Sequence, residues 1–252
     1  MGPLISARRL DVGYGERVVL SGVDTQVAAG AMVALVGPNG GGKSTLLKTF
    51  AGLLPPLSGG LEVLGSPAGA MSSRIAYLGQ FHRDSLGLPI RVVDVVRMAR
   101  FDQRPRLARR TSIDDECVAM AMAAMDVTAF ADAPLRDLSG GQRQRVFIAQ
   151  VLARRAGVML LDEPANALDS VGRASYTRAL ATARTEGVGV VIATHDIAEA
   201  ASCDRVLLVS GRLVADGPPA TVLTPELLLE TFGIGLSKVG DRLVVTEHHH
   251  DH

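Results

Sequence analysis

The run "MVALVGPNGGGKST", residues 32–45, constrains the fold more than any other stretch. Met32 to Val36 is apolar at every position. A strand with one wet face alternates apolar and polar residues, so an unbroken apolar run predicts a strand buried on both faces. Glycines break it, and a helix is expected from about Lys43, ending before Pro55-Pro56. Strand, glycine turn and helix make the first part of a β–α–β unit, which needs a parallel sheet covered on both faces. "GVMLLD" (157–162) and "GVVIATH" (189–195) are two more buried-strand candidates with helical sequence between them. Residues 4–33 read as short β segments with turn signals at Gly13, Gly15 and Gly30, and "GLEVLG" and "RIAYLGQ" read as strands. "RVLLVSGRLVADG" (205–217) reads as a hairpin about Ser210-Gly211. From about Val92 to Arg155 the pattern is helical, broken near Pro105 and Pro134, which predicts a helical lobe interrupting the alternation. A last helix, "PELLLETFG", precedes a short strand and a His-rich tail.

With 252 residues the chain suffices for one large domain with a sizeable core. Lys+Arg and Asp+Glu both number 26, so no net charge draws it towards nucleic acid. Cys117 and Cys203 lack CxxC spacing and read as reduced thiols rather than a disulfide or a metal site. No apolar run has signal-peptide or membrane-span length, so a partner must hold the chain at any membrane it serves.

"GPNGGGKST" (37–45) fits G-x-x-x-x-G-K-[ST], with Gly37, Gly42, Lys43 and Ser44 in the fixed places. Gly37, Gly40 and Gly42 permit a tight loop whose N–H groups surround a β-phosphate, and Asn39 and Thr45 belong to the same cradle. Lys43 places a cation between β- and γ-phosphates, and Ser44 offers a hydroxyl to Mg²⁺. "VMLLDEP" (158–164) ends a second strand in Asp162, expected beside the loop and holding Mg²⁺ through water. Glu163 then orients or deprotonates the attacking water, and His195, ending a third strand, reaches for the γ-phosphate. No N-K-x-D guanine reader is present, so adenine is the expected base. Tyr14 is the ring for stacking it, although a tyrosine in a β segment also serves as ordinary packing.

A second anion site is encoded a hundred residues later. In "DLSGGQRQR" (137–145), Ser139 is an N-cap followed by Gly140, Gly141 and a helical pattern. A helix N-terminus with unpaired N–H groups and no side chain in the way attracts phosphate.

The phosphate loop, Gln80, "LSGGQ" (138–142), "LLDEP" (160–164), "ALD" (167–169) and His195 occur in the order and spacing of ABC-type ATPases, the nucleotide-binding subunits of membrane transporters. The chain resembles that family over residues 4 to about 233. The resemblance implies a P-loop ATPase core with a mainly parallel sheet, an antiparallel β subdomain and a helical subdomain at about 86–155, followed by an extension, 234–252. It implies ATP and Mg²⁺ as ligands and two copies docked head to tail. Each ATP then lies between the phosphate loop of one copy and Ser139, Gly140, Gly141 and Gln142 of the other. Moving such a dimer from 1:99 to 99:1 closed takes roughly 5.5 kcal/mol, which a few charge-assisted hydrogen bonds per site supply. By the same resemblance Gln80 touches Mg²⁺ and the attacking water, Asp169 communicates across the dimer, and Tyr14 stacks on adenine. Two departures stand out. Leu78-Gly79 precede Gln80 where a proline is common, which loosens that hinge, and Gly41 fills a variable small position.

Further implications concern transport: a multi-span permease subunit, an extracytoplasmic metal-binding protein, and a place on the cytoplasmic face of the membrane. "LGLPIRVVDVVRMARF" (86–101) and "GPPATVLTPELLLETFG" (217–233) resemble manganese and zinc importer ATPases, with Leu88 where an aromatic is common. Divalent metal import is the expectation, with iron–siderophore or haem import next. A soluble ABC ATPase acting on DNA or ribosomes would bring a second ATPase domain or a coiled coil, and a small-molecule kinase has no use for LSGGQ. The six arginines from Arg97 to Arg110 carry no interleaved aromatic platform for bases and suit lipid headgroups or a membrane subunit better than nucleic acid. The tail "HHHDH" (248–252) is either a metal-binding segment or a cloning tag.

Overall fold

The computed structural model describes residues 2–67, 69–70, 72–80, 89–101, 111–232, 234–239 and 242–247. Leu88, most of the arginine run and the tail lie outside them.

Strand β3 (Met32–Val36) is buried at all five positions. Its alternate residues enter two different cores: Met32, Ala34 and Val36 pack on one side of the sheet, Val33 and Leu35 on the other. Both faces are dry, which is why the run has no polar residue. β7 (Val158–Asp162) and β8 (Gly189–Thr194) repeat the pattern.

β1 (Ile5–Tyr14), β2 (Arg17–Val27), β4 (Ser58–Val63) and the two-residue β5 (Ser66–Pro67) form an antiparallel sheet in the order β2-β1-β4-β5. The second sheet adds β6 (Ile75–Leu78), β9 (Arg205–Val209) and β10 (Leu213–Gly217), in the order β10-β9-β3-β8-β7-β6. Every neighbouring pair in it is parallel except the β9–β10 hairpin. The mainly parallel sheet and the separate antiparallel sheet are as the sequence predicts.

Helix α1 (Lys43–Phe50) lies between the two sheets, its Leu46, Leu47 and Phe50 fully buried. On the opposite face, α2 (Val92–Met98), α3 (Ser112–Ala124) and α4 (Gly140–Ala153) pack on one another, and α5 (Ser170–Thr185) joins α3 and α4. A nearly buried ion pair, Arg100 to Asp114 at 2.9 Å, ties the end of α2 to α3. The short α6 (Ile197–Ala201) and α7 (Pro219–Val222) and then α8 (Pro225–Phe232) complete the described α-helices. Both cysteines are free, and burial pushes the Cys203 thiol up to about 12, so it stays protonated.

After α8 the sequence pattern predicts one short strand. The structure has two, β11 (Ile234–Val239) and β12 (Arg242–Glu247), paired antiparallel from Ile234–Glu247 to Val239–Arg242. A lone strand leaves its N–H and C=O groups without partners, and the following segment supplies them. Among the described residues no helix is long and apolar enough to cross a membrane.

Candidate functional site

Four neighbouring parallel strands, in the order β3-β8-β7-β6, deliver the predicted site to one sheet edge. β3 leads into Gly37, β8 leads into His195, β7 ends at Asp162 just ahead of Glu163, and β6 leads to Gln80. The strand carrying the acids is not the neighbour of β3, because β8 lies between them. Asp162 nevertheless reaches the loop, through α1.

Backbone packing sets the loop. A Cβ on Gly37 would stand 1.9 Å from the carbonyl oxygen of Val209, so the loop crosses the end of β9 with no room for a side chain. Gly42, the N-cap of α1, has φ +100°, in the left-handed region that favours glycine. Gly37→Ala is expected to cost about 3 kcal/mol of stability through overpacking, read as a lower urea midpoint at an unchanged slope.

Lys43 is buried, and its Nζ donates to the carbonyls of Gly37 (2.7 Å) and Pro38 (2.9 Å). Burial pushes its pKa down, while Glu163 and Asp162 hold it up. Asp162 is 3 % exposed. Burial raises its pKa; the Ser44 hydroxyl, hydrogen-bonded to it, acts the other way. Its Oδ1 is buried without a hydrogen-bond partner. A buried carboxylate oxygen needs a donor or a cation. Ser44 and Asp162 therefore fit a hard, oxygen-seeking ion such as Mg²⁺.

Glu163 has φ +51°, uncommon for a residue with a side chain. Its N–H donates to the Ala193 carbonyl at 2.9 Å, which anchors the turn to β8. One carboxylate oxygen accepts from Asn166 Nδ2, and the other lies 3.6 Å from His195 Nδ1. The His195 ring is more than half exposed.

A cleft of about 610 Å³ collects Tyr14, Arg17, Val19, Asn39, Gly40, Gly42, Lys43, Ser44, Thr45, Gln80 and Glu163. Tyr14 is half exposed, its hydroxyl 3.5 Å from Lys48 Nζ. A smaller pocket of about 250 Å³ continues past Gln80 to Asp162, Asn166 and Gln144. At Gly79 a Cβ would stand 3.1 Å from the Tyr77 ring, so the missing proline also answers a packing demand.

The second anion segment stands apart from this cleft. Ser139 is the N-cap of α4 in a reciprocal box: its Oγ accepts from Gln142 N (3.2 Å) and its N–H donates to Gln142 Oε1 (2.8 Å). Nothing would meet a Cβ on Gly140 within 4 Å, whereas one on Gly141 would stand 2.9 Å from the Ala167 carbonyl. The two glycines thus face different demands: Gly140 opens outward and Gly141 packs on its own chain. Asp169 caps α5, accepting from Gly172 N at 2.7 Å.

The ABC transporter family model matches residues 20–166, more than half of the chain. The chain is 44 % identical over 238 residues to the hemin import ATP-binding protein HmuV of Nocardia farcinica, covering 91 % of this chain and 80 % of that protein. The chain belongs to the ABC transporter family. It is an ATP-binding subunit and an ATPase. A second relative, the manganese transport system ATP-binding protein MntB of Bacillus subtilis, is 33 % identical, with 94 % and 95 % covered. Among solved structures, an inward-facing ABC transporter assigned to the metal-chelate type superposes with a TM-score of 0.80 at 26 % identity, 98 % of each chain covered.

Sequence reasoning missed Arg17, Asn166 and Gln144. Asn166 and Gln144 sit within two or three residues of motif positions, in "DEPAN" and "GGQRQ", so proximity in sequence was the available signal. Arg17 sits where its residue type carries none.

Proposed function

We propose that two copies dock head to tail around two ATP molecules and drive import of a metal-bearing cargo through a separate multi-span permease. The observation that carries the dimer is the make-up of the cleft. The phosphate loop, Tyr14, Gln80 and Glu163 line it, and none of Ser139 to Gln142 does. The Ser139 Oγ already accepts a bond within its cap, which leaves its O–H to donate to an outside acceptor. Gly140 lets that acceptor approach the helix N-terminus. A γ-phosphate presented by a second copy satisfies both.

Within one site, the loop N–H groups and Lys43 bind the phosphates and Tyr14 stacks on adenine. Ser44 and Asp162, with Gln80 alongside, hold Mg²⁺, which when bound neutralises phosphate charge. Glu163 accepts the proton of the attacking water or orients it, and His195 donates to the γ-phosphate. Asp169, in the loop ahead of α5, faces the twin. The ATPase domain takes in residues 4–233, with the helical subdomain at about 86–155 receiving the permease. Because ATP is made inside the cell, the subunit works on the cytoplasmic face of the membrane.

Two cargo readings have support. The 44 % identity to a hemin import subunit favours an iron chelate. The end-to-end match to a manganese subunit favours a divalent ion, manganese or zinc, delivered by an extracytoplasmic binding protein. Deleting the gene and measuring growth on hemin as sole iron source against uptake of radioactive manganese and zinc separates them. Loss of only the first identifies the chelate, loss of only the second the ion, and loss of neither removes metal import.

A further inference from the structure

The bond that links the Ser139 helix to the acid turn belongs to no motif. Gln144 Nε2, on the second turn of α4, donates to the carbonyl of Pro164 at 2.8 Å. Pro164 follows Glu163 directly. The same side chain lines the small pocket with Gln80, Asp162, Glu163 and Asn166. The first turn of α4 rests on the far end of the acid segment, where a Cβ on Gly141 would stand only 2.9 Å from the Ala167 carbonyl oxygen. Residues 163–167 are therefore held at both ends by α4.

Glu163 depends on that segment for its aim. Its carboxylate is held by Asn166, the Asn166 N–H reaches back to the Glu163 carbonyl at 3.4 Å, and its own backbone sits at φ +51°. A residue in that region persists only where its surroundings enforce it. From Ser139 to Gln144 the helix rises about 7.5 Å, a stiff span of under two turns.

We propose that Gln144 is a positioning residue for hydrolysis, transmitting the placement of the Ser139 end of α4 to Glu163 of the same chain through the Pro164 carbonyl. Engagement of one copy's Ser139 segment by its twin's nucleotide then aligns that copy's acid for its own nucleotide. This rests on the dimer and on the role of Glu163 given above.

The test uses the purified full-length chain. Gln144→Leu keeps the size and removes the donor. Its kcat for ATP is expected to fall five- to tenfold with KM within twofold, because the bond acts on the acid and not on the phosphate cradle. Ser139→Ala and the double variant complete a cycle. Positions acting in series leave the double variant no slower than the slower single one. A kcat for Gln144→Leu within twofold of the parent overturns the proposal. So does a double variant whose loss is the product of the single losses, and so does a fall in KM affinity matching the fall in kcat. Glu163→Gln, run alongside, tells the two readings apart. If it turns over normally, the acid assignment itself has failed. If it is inactive while Gln144→Leu is normal, only the positioning role has failed.

Discussion

Glu163→Gln is expected to slow ATP hydrolysis by about 10²-fold or more while leaving ATP affinity within a few-fold of the parent. The amide has the size and shape of the carboxylate and keeps one acceptor oxygen, so the pocket around Asn166 and His195 is preserved. It loses the basicity needed to take a proton from water. The turn itself survives, since its anchor to Ala193 is a backbone bond. ATP binding rests on other groups, the loop N–H donors and Lys43, so the variant should bind and not release its closed state. Size-exclusion chromatography with light scattering should show a dimer that forms with ATP and persists for minutes. Turnover at the parent rate, or a monomer with ATP bound, contradicts the assignment.

Lys43→Ala is the second large effect, and it acts on binding rather than chemistry. The ammonium is buried against two loop carbonyls, with Asp162 and Glu163 close enough to support its charge. Its position at the start of α1 puts that charge where the phosphates come nearest the backbone. A charge-assisted hydrogen bond contributes about 1.5–3 kcal/mol, so losing this cation should raise the Kd for ATP by about 10²-fold. The fold should hold. Loop geometry depends on the contacts at Gly37 and Gly42, and burial already works against the ammonium. Titration calorimetry measures the affinity and a urea curve measures the fold. An affinity within threefold of the parent would remove Lys43 from the phosphate site.

Much of the architecture was legible because the signals were short in range. β3, β7 and β8 read as apolar runs, since dry faces on both sides admit no alternation. The Ser139 cap read as a serine before a glycine pair, since capping is settled within one helical turn. The hairpin at Ser210-Gly211 read from its turn residues, and the antiparallel β9–β10 pair follows.

What the amino-acid order determined by itself was therefore the set of elements and the chemistry at their ends: a phosphate loop, two acids after a strand, a capped glycine pair. Tertiary structure alone decided which ends meet. Nothing local says that β8 separates β3 from β7, that the Ala167 carbonyl closes on Gly141, or that Gln144 holds the Pro164 carbonyl. Strand order and such contacts are chosen by how distant apolar faces pack and by which buried polar groups need partners, and both depend on the whole chain at once.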